Sequence, residues 1–124
     1  MLQLPDKRVL VTDSDNHRIR MLSADLQQVC TVAGDGEVGH QDGAAAQARF
    51  RYPRGFTLLP DGRVLVADSD NRRIRMLSAD LQQVSTVAGD GEGGHQDGAA
   101  AQAQVNCPSG FAPLPDGRVL VLDE

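Results

Sequence analysis

An all-β fold of repeated four-stranded antiparallel units is what these 124 residues predict, on three observations. The chain copies itself: residues 1–55 laid on 56–110 agree at 42 of 55 positions. From Arg8–Ala48 against Arg63–Ala103 only four of 41 positions differ, namely Thr12/Ala67, His17/Arg72, Cys30/Ser85 and Val38/Gly93. Each copy is also cut by turn compositions, Pro-Asp-Gly, Asp-Ser-Asp-Asn and Ser-Ala-Asp, into segments of strand length. Those segments are β-branched runs or period-2 alternations. Strand, turn, strand at this spacing makes hairpins, because parallel crossovers need longer connections. Four strands per repeat make the blade of a β-propeller.

The second copy shows the order of elements. Gly55–Pro60 is an apolar strand ending at Pro60-Asp61-Gly62, where Gly62 suits a positive φ. Arg63–Asp68 follows, and its Val64–Ala67 run is that of a strand covered on both faces. After the Asp68–Asn71 turn, Arg73-Ile74-Arg75-Met76 alternates as a half-buried strand does, and Gln82–Gly89 supplies the fourth. With strands named a to d, the chain reads a-b-c-d, a-b-c-d, a-b. Blade 1 is then 1–33, an inter-blade loop 34–53, blade 2 54–88, a second loop 89–108, and the first half of blade 3 is 109–124. In the loop, Ala44–Ala48 has helical composition with Asp42 placed to cap it. Val9, Leu10 and Val11 with Val64, Leu65 and Val66 are expected to be the most buried residues.

Composition narrows the function. Twelve basic against 17 acidic residues give a net charge of −5, so no broad basic face is expected and nucleic acid is a poor partner. No apolar run approaches the roughly 20 residues of a membrane span, and the first ten residues lack the pattern of a signal peptide. Cys30 and Cys107 fall on different blades, neither repeated as Cys, so no disulfide is expected and an intracellular compartment is slightly favoured.

Asp13-Ser14-Asp15-Asn16-His17-Arg18-Ile19-Arg20 after the apolar Val9-Leu10-Val11, and Asp68–Arg75 in the second copy, resemble the signature of NHL-repeat proteins. Thr31-Val32-Ala33-Gly34, Asp42-Gly43 and Pro53-Arg54-Gly55 resemble the variant with a long inter-blade loop. The resemblance implies a propeller, usually of six blades, acting as a protein-interaction scaffold; some relatives bind RNA, and a related lyase group holds a metal in its channel. Six blades at this period need about 330 residues. The chain is therefore expected to be a section of a longer propeller or one that self-associates through open blade edges.

Candidate chemistry is sparse. The Asp-Ser-Asp-Asn turns lack the later ligands of a calcium loop. A structural network suits them better: Asp13, Asn16 and Arg18, and likewise Asp68, Asn71 and Arg73, with the arginine on the carboxylate. In the loops, Asp35, Glu37, His40 and Asp42 stand close in sequence, and His40 and His95 are the only repeat-equivalent histidines a metal-dependent lyase or hydrolase could use. No nucleophile stands beside a base, so no catalytic residue, metal or cofactor is assigned. The largest cluster of differences between aligned copies is 49–54, where Arg49-Phe50-Arg51-Tyr52-Pro53-Arg54 becomes Gln-Val-Asn-Cys-Pro-Ser. Arg49, Phe50, Arg51, Tyr52 and Arg54 are accordingly the expected contacts for a protein or peptide partner. Single-stranded RNA on the three arginines is the further alternative. Exchanging that segment for its second-copy version is expected to weaken binding and leave the fold intact.

Overall fold

The computed structural model describes residues 1–124. Blade 1 is a four-stranded sheet of β1 (Leu2–Gln3), β2 (Val9–Asp13), β3 (Arg18–Leu22) and β4 (Val29–Ala33), each antiparallel to the next. After β5 (Gly43–Ala44), blade 2 runs through β6 (Pro53–Leu58), β7 (Val64–Asp68), β8 (Arg73–Leu77) and β9 (Gln83–Ala88). The hairpin of β10 (Pro108–Pro113) and β11 (Val119–Asp123) is the half blade.

Two expectations about the loop change. Its middle is a strand: β5 pairs with β9, so the connection leaving blade 1 adds a fifth strand to the outer edge of blade 2. The alanine run is a single 3-10 turn, Ala45–Gln47, with no side-chain cap. Asp42 is drawn instead to Thr86 and Arg75, since one short turn offers little to a cap and a buried guanidinium offers more.

Blades stack face to face. Leu10, Ile19 and Ala33 of blade 1 and Val64, Val66, Leu77 and Val84 of blade 2 share one core, closed from the loop by Ala45, Ala48 and Phe50. The opposite face of β7, Leu65 and Ala67, lies toward the half blade, whose β10 packs against β6 and β7. All five residues of β7 are therefore buried, while β2 buries only Leu10 and Val9 and Val11 stay half-exposed. Val9 and Val11 are thus corrected from the expected core, because nothing in these residues covers their face. Innermost strands come very close at Gly55, where a Cβ would lie 2.5 Å from the Ser109 carbonyl oxygen. Only glycine fits there.

The turns are built twice over from the same atoms. Asp6 and Asp61 accept the backbone N–H of Arg8 and Arg63, both at 3.1 Å, and pair with the same arginines. Asp25 and Asp80 accept the hydroxyls of Ser23 and Ser78 and the amides of Gln27 and Gln82. The backbone bond from Arg63 holds Asp61, and the Ser78 hydroxyl holds Asp80, below the ordinary carboxylate range. Their stabilisation is complete above the unfolded-state value of 3.8 and is lost as pH falls through the depressed folded value. Changing Asp61 and Asp80 to Asn is expected to lower the melting temperature at neutral pH. In thermal melts run at stepwise lower pH, the difference from the parent chain should shrink below about pH 4.

Candidate functional site

At the end of each b strand the chain makes a 3-10 turn, Ser14–Asn16 or Ser69–Asn71, and leaves it through a left-handed residue, His17 or Arg72. Each turn is tied to the following a strand: the Ser14 hydroxyl donates to the Pro53 carbonyl, and the Ser69 hydroxyl to that of Pro108. The segment 49–54 thus runs beside the first turn and 104–109 beside the second.

The turn networks form, with a different arginine. Asn16 donates to Asp13 at 3.0 Å and Asn71 to Asp68 at 2.7 Å, as expected. The arginine on each carboxylate is Arg20 at 3.2 Å and Arg75 at 2.7 Å, in place of Arg18 and Arg73. Asp13 lies across the ladder from Arg18, but that side chain runs to the Asp35 carbonyl, and Arg73 runs to that of Asp90. Arg20 and Arg75, two residues further on the same face, reach the carboxylate diagonally. The signal was present: in Arg-Ile-Arg both arginines share one face.

Arg75 is fully buried and all five N–H groups are used. Asp42 receives Nε at 3.1 Å and Nη2 at 2.7 Å, the Gln41 carbonyl Nη2 at 2.8 Å, and Asp68 and the Arg49 carbonyl Nη1 at 2.7 Å each. The Phe50 ring stacks 4.9 Å below the guanidinium. Burial pushes the Asp68 carboxyl up, against the pull of the Arg51 amide, Asn71 and Arg75.

The expected contact residues separate. Phe50 has no exposed surface and belongs to the core, so it is removed from the contact set; beside the guanidinium, burial gains more than exposure. Arg49 is tied to Asp35 at 2.8 Å, and Arg54 lies 3.9 Å from Glu124. Tyr52, with φ of 52°, sets its ring edge-to-face on His17 at 5.1 Å and donates its backbone N–H to His17 Nδ1. The Asp15 carboxylate facing its hydroxyl pushes the phenol above its usual range. Arg51 remains exposed at the surface.

Between blade 2 and the half blade, the equivalent junction is open. Arg51, Ser69, Asp70, Arg72, Gly91, Asn106 and Cys107 line a cleft of about 520 Å³. Four differences between copies meet there, one of them Asn106 in place of Arg51. Cys107 stands where Tyr52 fills the first junction, and Arg72 where His17 supports that ring. Gly93 stands where Val38 does, and a Cβ there would collide with Arg72 Nη1. The cleft thus presents two guanidinium groups against one carboxylate in a chain of net charge −5. Sequence comparison marked 49–54 but not the pairing of Arg72 with Gly93, which are far apart in the copy and meet only across the turn.

The two loop histidines lie apart in character. His40 bonds Thr86 at 2.9 Å and stands 4.0 Å from Asp42, and burial, with the charges of Arg75 and Arg73, lowers its pKa. His95 is exposed, 3.8 Å from Asp97. No three His, Cys, Asp or Glu side chains gather as a metal centre. No helix is long and apolar enough to cross a membrane.

The profile of the NHL repeat matches residues 50–76, from the loop end into β8. Protein SUPPRESSOR OF QUENCHING 1, chloroplastic, of Arabidopsis thaliana is 31% identical over 128 residues, 96% of this chain and 12% of that protein. The human NHL repeat-containing protein 2 is 31% identical over 98 residues, 78% of this chain and 13% of that one. The chain thus spans about an eighth of these relatives. An auxiliary nutrient binding protein from Bacteroides thetaiotaomicron superposes with a TM-score of 0.83 at 23% identity, over 98% of this chain and 34% of its own. A protein of unknown function from the same organism gives 0.87 at 24%, over 95% and 30%. At that identity the likeness is one of fold.

Proposed function

Because this chain belongs to the NHL-repeat family and is built of β-propeller blades, we propose that it is a non-catalytic scaffold segment. Its cleft between blade 2 and the half blade takes an acidic or carboxylate-bearing peptide. The observation that carries this is the convergence of His17/Arg72, Val38/Gly93 and Tyr52/Cys107 on one junction. Near-identical blades offer identical surfaces, so a distinct address has to come from positions that differ. Here the differences remove an aromatic plug and move the guanidinium, with Arg72 in place of His17 and Asn106 in place of Arg51. Arg51 and Arg72 have no side-chain partner among the ion pairs, and their planar forks match a carboxylate.

The test is the triple substitution Arg72→His, Gly93→Val and Cys107→Tyr, which brings three side chains of the closed first junction into the cleft. Screened against an array of peptides bearing Asp, Glu or a free C-terminal carboxylate, the parent should capture a subset. The triple variant should bind that subset at least about tenfold more weakly, the scale of one charge-assisted contact, at an unchanged melting temperature. Equal binding by both would overturn the reading. Capture of single-stranded RNA, with affinity falling steeply with salt, would overturn it in favour of nucleic acid.

A further inference from the structure

The two junctions differ at the residue that leaves each turn. His17 and Arg72 share one backbone conformation, with φ of 57° and 56°, so their side chains depart from equivalent places. Where that residue is Arg72, always charged, the junction is open. Where it is His17, Tyr52 shuts the junction, its ring set edge-on against the imidazole. The Tyr52 backbone N–H donates to His17 Nδ1 at 3.1 Å. This donor fixes the tautomer: Nδ1 offers its lone pair, and the imidazole hydrogen sits on Nε2. The latch exists only while His17 is neutral.

Acid removes it. A second proton on the ring lands on Nδ1, so the acceptor becomes a donor facing the Tyr52 N–H. Tyr52 also has a φ of 52°, a conformation that a non-glycine residue keeps only where its contacts fix it. The elements around His17 carry Asp15 and Arg18 on its own turn and strand, and Asp70 on blade 2. Loop 34–53 adds Asp35, paired with Arg49, then Glu37, and Arg51 and Tyr52 at its end. Carboxylates and guanidinium groups keep their charge between about pH 7.5 and about pH 5, the interval in which imidazole takes up its proton. The Tyr52 phenol, raised by Asp15, stays neutral there too. His17 is the member of this set that changes.

We propose that protonation of His17 withdraws Tyr52 and turns the first junction into a second site for a carboxylate-bearing peptide. The imidazolium then stands where Arg72 stands in the cleft. Arg51 borders both junctions, for it lines the cleft and holds, in the first junction, the place that Asn106 takes in the second. Ser14, Asp15 and Gly36 supply the remaining wall, as Ser69, Asp70 and Gly91 do in the cleft. Val38 leaves room, because imidazole is shorter than the Arg72 side chain, whose Nη1 a Cβ at Gly93 would strike. The proposal rests on the cleft being a carboxylate site, and it adds a second such site that forms only in acid.

Tyr52 is the one tyrosine of a chain without tryptophan, so its emission reports the latch directly. That emission should change between about pH 7.5 and about pH 5. His17→Asn, which suits a left-handed backbone and does not titrate, should abolish the change. The ligand probe is acetyl-Gly-Glu-Gly-amide, followed through backbone amide NMR shifts. At the higher pH it should move Arg72, Gly91 and Asn106 alone. At the lower pH it should also move His17, Gly36 and Tyr52, with affinity at the first junction at least about tenfold greater. His17→Arg combined with Val38→Gly, the second copy's own residues, should move Gly36 and Tyr52 at both pH values. Flat Tyr52 emission in the parent, or an equal change in His17→Asn, overturns the proposal. Shifts at Arg72 and Asn106 without any at Gly36 and Tyr52 in acid overturn it and leave the cleft standing. The converse overturns the cleft alone, and silence at both junctions overturns both readings.

Discussion

Arg75→Met should destabilise the chain by about 3–5 kcal/mol, and Arg20→Met, its twin in blade 1, by less than about 1 kcal/mol when both are measured dilute. The two arginines share a sequence context and a strand position but not an environment. Arg75 has no exposed side-chain surface, and its loss strands the fully buried Asp68 carboxylate and the Gln41 and Arg49 carbonyls without donors. Arg20 is about a third exposed and has a single ion pair at 3.2 Å, whose carboxylate also faces water. A typical domain has only about 5–15 kcal/mol to lose, so the first variant should be near or past its folding limit. Urea melts of the two variants decide it. Equal losses would mean that the polar bonds of Arg75 contribute nothing beyond its packing.

Phe50→Ala should cost about 3–5 kcal/mol, the usual penalty for a fully buried aromatic. The cavity would open under the Arg75 guanidinium, which loses its stacked ring as well. The same logic reverses one expectation drawn from sequence. Replacing 49–54 by Gln-Val-Asn-Cys-Pro-Ser should now lower the melting temperature, because it removes Phe50 from the core and the Arg49 bridge to Asp35. Thermal melts of Phe50→Ala and of the segment exchange check both. A segment exchange that melts like the parent would return Phe50 to the surface.

Much of the fold was legible because the relevant physics is local. Pro-Asp-Gly and Ser-Ala-Asp turn the chain with their own side chains and amides, and Val64–Ala67 had to be buried on both faces wherever it lay. The repeat and its four strands followed from these short-range signals. The candidate site was half legible. Disagreement between copies pointed to 49–54, yet composition alone could not say that Phe50 turns inward while Arg51 stays at the surface.

Everything that distinguishes one copy from the other in energy came from neighbours distant in sequence. Arg20 and Arg75 are the same residue in the same motif, and Val29 and Val84 likewise. Only the stacking of blade 1 and loop 34–53 on blade 2 makes one of each pair buried and satisfied. Loop 34–53 looked like a plain connection for the same reason, since β5 exists only as a partner of β9. A strand order, a repeat and a turn are written within a few residues of chain. Desolvation and the pairing of a buried charge depend on what covers it, and the cover lies 26 to 34 residues away.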